Sequence, residues 1–486
     1  MKKLNRQILP DLFNVERNST VAEHETILQF GGGNFLRGFI DFFVDELNEK
    51  NLYAGNIVIV QSIGAGLTES VTKQEGLYTV LLRGIENGKQ IERTRVITSV
   101  SRAINPTINH DEYIKIADNP NLRFVVSNTT EAGIVYKNTD KLTDVPQSSF
   151  PGKVASFLYK RYKVFNGDAT KGLVFIPCEL IDDNGDKLKE IVLKLAQNWN
   201  LEQDFINWIN NHNYFTNTLV DRIVPGYPED ATNIWEKLGY EDEILVTAEI
   251  FEFFAIQPPT GAEHLADELP MQKLSKNILW TKDIKPYKLR KVRILNGAHT
   301  MSALIAYLAG KRTVREMVTD PVIGKFIEKG IYDEIVPVID MPKDELTSFA
   351  KSVVERFENP YINHQLISIS LNSVAKFKTR VLPTILDYYQ KQGQIPTILT
   401  LSFAALIAFY KGDEHTVTDD QEIVQFFQTI WKNNDYNDIA KKVCERVDYW
   451  GQDLCNLTNF KDKVAEYLEK IETDLSALLK EVIDRR

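Results

Sequence analysis

Residues 27–39 read ILQFGGGNFLRGF, and the reading of this stretch decides the fold. Ile27–Phe30 is a branched and aromatic run of the kind that forms a strand buried on both faces. Gly31, Gly32 and Gly33 follow at once, and Asn34 and Phe35 open an amphipathic pattern that runs to Glu49. A strand, a glycine turn and a helix in direct succession can cradle a pyrophosphate. The glycines let the backbone approach it closely, and free N–H groups at a helix start favour its charge. Against G-x-G-x-x-G, Gly31 and Gly33 fit, Leu36 stands at the third position and Gly38 comes two residues late. Phe30, Gly31, Gly32, Gly33, Asn34 and Phe35 are therefore candidate cofactor contacts. No G-K-[ST] follows, so the loop is not a P-loop.

Outward from this stretch the pattern repeats. Runs at 26–30, 56–60, 122–127 and 172–177 predict strands, and residues 34–49, 111–118, 152–163 and 186–198 predict helices between them. Such alternation implies an α/β N-terminal domain with a parallel sheet, of Rossmann type, over residues 1–284. The segment LYTVLLRGIENGKQIERTRVI interrupts it as a hairpin, with Glu86-Asn87-Gly88 as its turn. From residue 285 helical periodicity takes over, predicting a predominantly α-helical C-terminal domain over 285–486. Its most apolar run, Ile398–Tyr410, is too short to span a membrane and reads as a buried helix.

Composition narrows the function classes. A length of 486 residues with 43% hydrophobic content supports a large core. The net charge of −10 argues against nucleic acid as a general partner, because phosphate binding needs a basic surface. Three scattered cysteines, Cys178, Cys444 and Cys455, suit a reducing cytoplasm and no disulfide framework. The N-terminus has no apolar core of a secretory signal. No metal site is expected, since HExxH and Cys-x-x-Cys are absent. Oligomeric state is not legible.

Ligands of such sheets bind beyond the carboxyl ends of the strands. Thr130 and Glu131, in SNTTEAG after the third of these strands, lie there, although the same residues could simply cap a turn. The second strand runs into Gln61 where a carboxylate commonly reads the adenine ribose, so this position does not choose between NAD and NADP. Asp221 in TLVDRIVP is a candidate carboxylate, with pairing to Arg222 as the structural alternative.

The chemistry concentrates in KVRILNGAHT, residues 291–300. As an α-helix it would place Lys291 and His299 about 12 Å apart along the axis and about 80° around it. Asn296 falls inside that arc, and side chains tilt toward the N-terminus, so the three could converge on one oxygen. Lys291 is suited to exchange a proton, with Asn296 and His299 hydrogen-bonding the oxygen as charge develops.

KVRILNGAH resembles the K-x-x-x-x-N-x-x-H signature of the mannitol dehydrogenase family, the zinc-independent long-chain polyol and sugar-acid dehydrogenases. FGGGNFLRGF, QEGLYT (74–79), SNTTEAG (127–133), TLVDRIVP (218–225) and RFENPYINHQ (356–365) are similar to family segments along most of the chain. The resemblance implies an active site between the two domains, use of NAD, acid/base duty for Lys291, and oxygen binding by Asn296 and His299. It also implies pocket roles for Asp221 and Glu131. Two departures from the mannitol-type pattern bear on substrate. Leu180 stands where an asparagine follows the pair at 178–179. Lys288 stands where a carboxylate commonly precedes the catalytic lysine by three residues. Lys288, with a second basic group of Lys376, Lys378 and Arg380, could hold a sugar-acid carboxylate; a solvated basic face is the alternative. Still open are either hexuronate epimer, a neutral polyol, or a nucleotide-binding regulator without catalysis.

Overall fold

The computed structural model describes residues 1–9, 24–61, 65–130, 132–413 and 415–484. The chain divides into two compact units, one of residues 1–83 with 91–284, the other of residues 84–90 with 285–486.

In the first unit, β1 (Glu25–Phe30), β2 (Asn56–Val60), β3 (Val100–Ile104), β4 (Phe124–Ser127), β5 (Val174–Pro177) and β6 (Tyr214–Phe215) form one parallel sheet. Their order is β3-β2-β1-β4-β5-β6, the doubly wound dinucleotide-binding order, which reverses beside β1. Side chains alternate between the faces of a strand, and here both faces are covered. Ile27, Ile57 and Ile59 pack with Ile40, Phe43 and Leu47 of α2 (Ile40–Glu49). Leu28, Phe30, Val58 and Val60 pack on the other face with Phe157 and Leu158 of α3 (Phe150–Val164) and Val192 of α4 (Asn184–Asn198). Each such side chain contributes about 1.5–3 kcal/mol on burial, so a charge at Ile57 would break the layer.

The helix expected over 34–49 is split into α1 (Asn34–Arg37) and α2. The carbonyls that would continue it are taken elsewhere. Tyr78 Oη donates to Arg37 O at 3.3 Å, and Arg222 Nη1 donates to Gly38 O at 3.0 Å. Gly38 is also tightly approached, since a Cβ there would lie 3.0 Å from Val224 Cγ1. It therefore serves the close packing assigned to a third fingerprint glycine, two residues late. The hairpin forms as Tyr78–Glu86 and Lys89–Ile97, with both turn residues, Asn87 and Gly88, at positive φ. Its tip belongs to the second unit, where Gly88 N–H donates to Glu355 Oε1 at 3.2 Å.

The second unit is helical. Its centre is α5 (Gly297–Leu308), packed against α7 (Ser373–Arg380) and the largely apolar, buried α8 (Thr397–Phe409). A further helix, α6 (Lys343–Phe357), flanks the segment that leads into α5. That segment, Lys291–Asn296, is a π-helix and not the α-helix the sequence pattern predicts. Its i→i+5 bonding voids the rise-and-rotation arithmetic for residues 291–299. Among the described residues no helix is long and apolar enough to cross a membrane.

Candidate active site

One group of candidate residues lies at the carboxyl edge of the parallel sheet. Gly31 has φ +110°, and its N–H donates to Val60 O at 3.0 Å. A Cβ at Gly31 would sit 2.8 Å from Asn128 O, and one at Gly32 would sit 2.6 Å from Leu67 Cδ2. At Gly33, with φ −63°, a Cβ would meet nothing within 4 Å. The loop is thus closed beneath and open above. Arg37, buried behind it, donates to Gly32 O at 3.1 Å and to Asn34 Oδ1 at 2.8 Å. Gln61 Oε1 accepts from Gly32 N–H at 2.6 Å, so the residue at the ribose-reading position is turned onto the glycine loop.

The other predicted cofactor contacts fall around this loop. Phe30 turns its ring into the core, 5.0 Å from Phe150 and 6.1 Å from Tyr113, and leaves only its backbone near the loop. Asn34 is exposed, and Phe35 is half-buried and stacked on Phe39 at 4.8 Å. Thr130 is exposed with φ +76°, an uncommon state for a β-branched residue and one that concentrates at ligand sites. Glu131 lies outside the described residues.

Sequence reading passed over the residue that shapes this edge. Glu179 is buried and accepts from Thr129 N–H at 3.0 Å, Thr129 Oγ1 at 2.8 Å and Ser127 Oγ at 3.0 Å. Burial raises its pKa, with these donors opposing the rise. The carboxyl thereby ties the loop after β4 to the loop after β5. A carboxylate directly after a buried strand was the available signal. Asp221 ends the strand Asn217–Asp221, opposite Phe253 in an antiparallel pair, and is buried. Neighbouring Arg222 donates to Gly38 O, Ile250 O, Phe251 O and Glu252.

Within the second unit, a separate group of candidate residues is built on the π-turn and α5. From Arg290 to Ala306 every residue is buried except Lys291, Val292, Asn296 and His299. The polar trio, with Val292, makes up the half-buried positions of an otherwise buried segment. Arg293 anchors the turn from its buried side, donating to Thr384 Oγ1 at 2.7 Å and Asp387 Oδ2 at 3.0 Å. His299 lies flat on Phe357, ring centroids 4.1 Å apart and planes 15° from parallel, with His364 edge-on at 5.4 Å.

The packing of α7 on α5 brings two of the predicted basic residues to this place. Arg380 Nη1 donates to Thr300 Oγ1 at 3.4 Å. Lys376 has its pKa lowered by burial first and by Arg380 second, and it acts in turn on His364. Lys378 is not brought with them; it donates to Asp448 O at 3.3 Å. Positions i and i+4 of a helix share a face and i+2 does not, so this division was legible in the spacing. Lys288 is half-buried on the helix Lys285–Arg290, three residues before the π-turn begins at Lys291. Among the described residues no three His, Cys, Asp or Glu side chains gather as a metal site.

Comparison with known proteins follows the same division. Residues 25–268 match the mannitol dehydrogenase Rossmann domain, and residues 283–472 match the mannitol dehydrogenase C-terminal domain. The chain is 46% identical to an altronate oxidoreductase of Enterobacter sp. (strain 638), over 99% of this chain and 98% of that one. It is 45% identical to one of Pectobacterium atrosepticum, over 97% of each. Among solved structures it superposes on a D-sorbitol dehydrogenase with a TM-score of 0.80 at 19% identity, covering 99% and 100% of the two chains. The mannitol 2-dehydrogenase of Pseudomonas fluorescens gives 0.68 at 21% identity, covering 100% of each. Family models over most of its length, together with near-half identity to full-length relatives, make this chain a member of the mannitol dehydrogenase family.

Proposed function

We propose that the protein is an NADH-dependent reductase of a 2-keto hexuronate, interconverting D-tagaturonate and D-altronate in the cytoplasm as a step of hexuronate breakdown. The observation that carries this reading is that Lys291, Asn296 and His299, alone among the polar residues of a buried segment, are half-buried and not fully enclosed. The altronate oxidoreductase relatives support the choice of substrate.

The glycine loop fits a dinucleotide, because Gly33 leaves open space while Gly31 and Gly32 fix the path beneath it. Gly31–Gly33, Asn34 and Phe35, with the Phe30 backbone, would hold the pyrophosphate, and Thr130 with Glu131 the nicotinamide side. When bound, NADH supplies the hydride that reduces the ketone carbon. Lys291 gives an Nζ proton to the ketone oxygen and takes it back in the reverse direction, a role worth about 10²–10⁴-fold in rate. Asn296 and His299 donate hydrogen bonds to that oxygen as negative charge develops, each worth about 10²–10³-fold. Lys288, Lys376 and Arg380 offset the substrate carboxylate, and Asp221 accepts from a substrate hydroxyl.

The test is NADH absorbance with purified protein and, separately, D-tagaturonate, D-fructuronate and D-fructose, repeated with NADPH. Oxidation of NADH confined to tagaturonate supports the reading. Preference for fructuronate or fructose contradicts the substrate, and silence with NADH bound contradicts the enzyme.

A further inference from the structure

His364 belongs to none of the residue sets assigned above, yet the fold presents it firmly to His299. Its strand-like segment is bridged to residues 312–314: Val314 N–H donates to His364 O at 2.9 Å, and Leu366 N–H donates to Arg312 O at 2.8 Å. These bonds hold the chain at and just after His364. Its ring then stands 83° to the His299 ring at a centroid separation of 5.4 Å. The ring of Phe357 lies against His299 at 4.1 Å and 15°. A ring stacked on one neighbour and met edge-on by another cannot rotate about its Cβ–Cγ bond without losing both favourable arrangements. Burial, and then Lys376, lower the pKa of His364, which favours the neutral form of this ring.

We propose that His364 is a positioning residue, which together with Phe357 fixes the ring plane of His299 so that its N–H points at the substrate oxygen. This rests on the reading of His299 as an oxygen-binding group. The imidazole of His364 acts through its ring edge; its ring nitrogens are not required to touch substrate. A misaimed His299 donor costs transition-state stabilisation and leaves ground-state binding nearly intact, so the loss falls on kcat.

Three variants separate the ring from its nitrogens. His364→Ala removes both, His364→Phe keeps an aromatic edge, and His364→Gln keeps polarity without a ring. Expected for His364→Ala is a fall in kcat of about tenfold with KM for the keto acid within about twofold. His364→Phe recovers kcat to within about threefold of the parent, and His364→Gln does not. A readout independent of turnover is the side-chain spectrum of ¹⁵N-histidine-labelled protein, in which seven histidines are resolved and His299 is assigned by its loss in His299→Gln. The His299 ring resonances shift in His364→Ala and stay near the parent position in His364→Phe. Activity retained in His364→Gln but lost in His364→Phe overturns the proposal in favour of a direct polar contact, as does an unmoved His299 signal in His364→Ala. If the parent turns over none of the sugars tried, the spectra still decide the matter. If His364→Ala does not fold, the Phe and Gln pair decides it.

Discussion

The imidazole of His299 rests flat on the ring of Phe357, 4.1 Å between centroids and 15° from parallel, so the last residue of α6 supports the first turn of α5. Phe357 is 4% exposed. Phe357→Leu keeps an apolar filling but gives up the flat surface. It should cost about 1–2 kcal/mol of stability in urea unfolding and lower kcat several-fold, with the KM for NADH unchanged.

The glycine loop separates two kinds of glycine. Gly31→Ala forces a side chain onto φ +110° with its Cβ 2.8 Å from Asn128 O, and should destabilise the protein by about 1–3 kcal/mol while weakening NADH binding. Gly33→Ala meets no protein atom within 4 Å and suits its backbone angles, so its Tm should equal the parent's. Its methyl group occupies the space read as the pyrophosphate seat, so the Kd for NADH by fluorescence titration should rise about tenfold. Equal NADH affinity in parent and Gly33→Ala would move the seat elsewhere.

Two buried carboxyls set a pH dependence of stability. Burial pushes Asp41, which accepts from Tyr78 Oη at 2.6 Å, up to about 7 from its ordinary 3.8. Burial likewise pushes Glu334, which accepts from Ile398 N–H at 2.8 Å and Leu399 N–H at 2.9 Å, up to about 7 from 4.5. A raised carboxyl pKa means the folded state binds more protons than the unfolded one between these values. Stability therefore falls as pH rises from about 4 to about 7, by an amount on the order of 3 kcal/mol per group. Urea midpoints measured across that range should decline, and Glu334→Gln, which resembles the protonated form, should flatten part of the decline.

The basic helix α7 offers an internal contrast. Lys376 lies on the face that acts on His364, whereas Lys378 donates to Asp448 O. Lys376→Met should raise KM for the uronate about tenfold, and Lys378→Met should leave it within about twofold, measured by steady-state kinetics at fixed NADH. Equal effects would point to a diffuse electrostatic attraction.

Much of this was readable in the chain, and the remainder was hidden for physical reasons. The strands ending at Phe30, Val60, Ser127 and Pro177 announce themselves because burial on both faces demands unbroken apolar runs. Lys291, Asn296 and His299 stand out because polar side chains interrupt an apolar pattern. The π-turn beneath them does not, since one extra residue per turn barely alters hydrophobic periodicity over six positions. The break at Gly38–Phe39 depends on Tyr78 and Arg222 capturing two carbonyls, partners distant in sequence. His364 escapes for the same reason: only the bridge to residues 312–314 brings it to His299.

The most direct measurement of the central claim is turnover and cofactor binding in Lys291→Met, which keeps the length of the side chain and removes its proton. The account predicts that tagaturonate reduction falls by about 10³-fold while the Kd for NADH stays within about twofold of the parent. Turnover within tenfold of the parent would show that another group supplies the proton, and the assignment of Lys291 would be wrong.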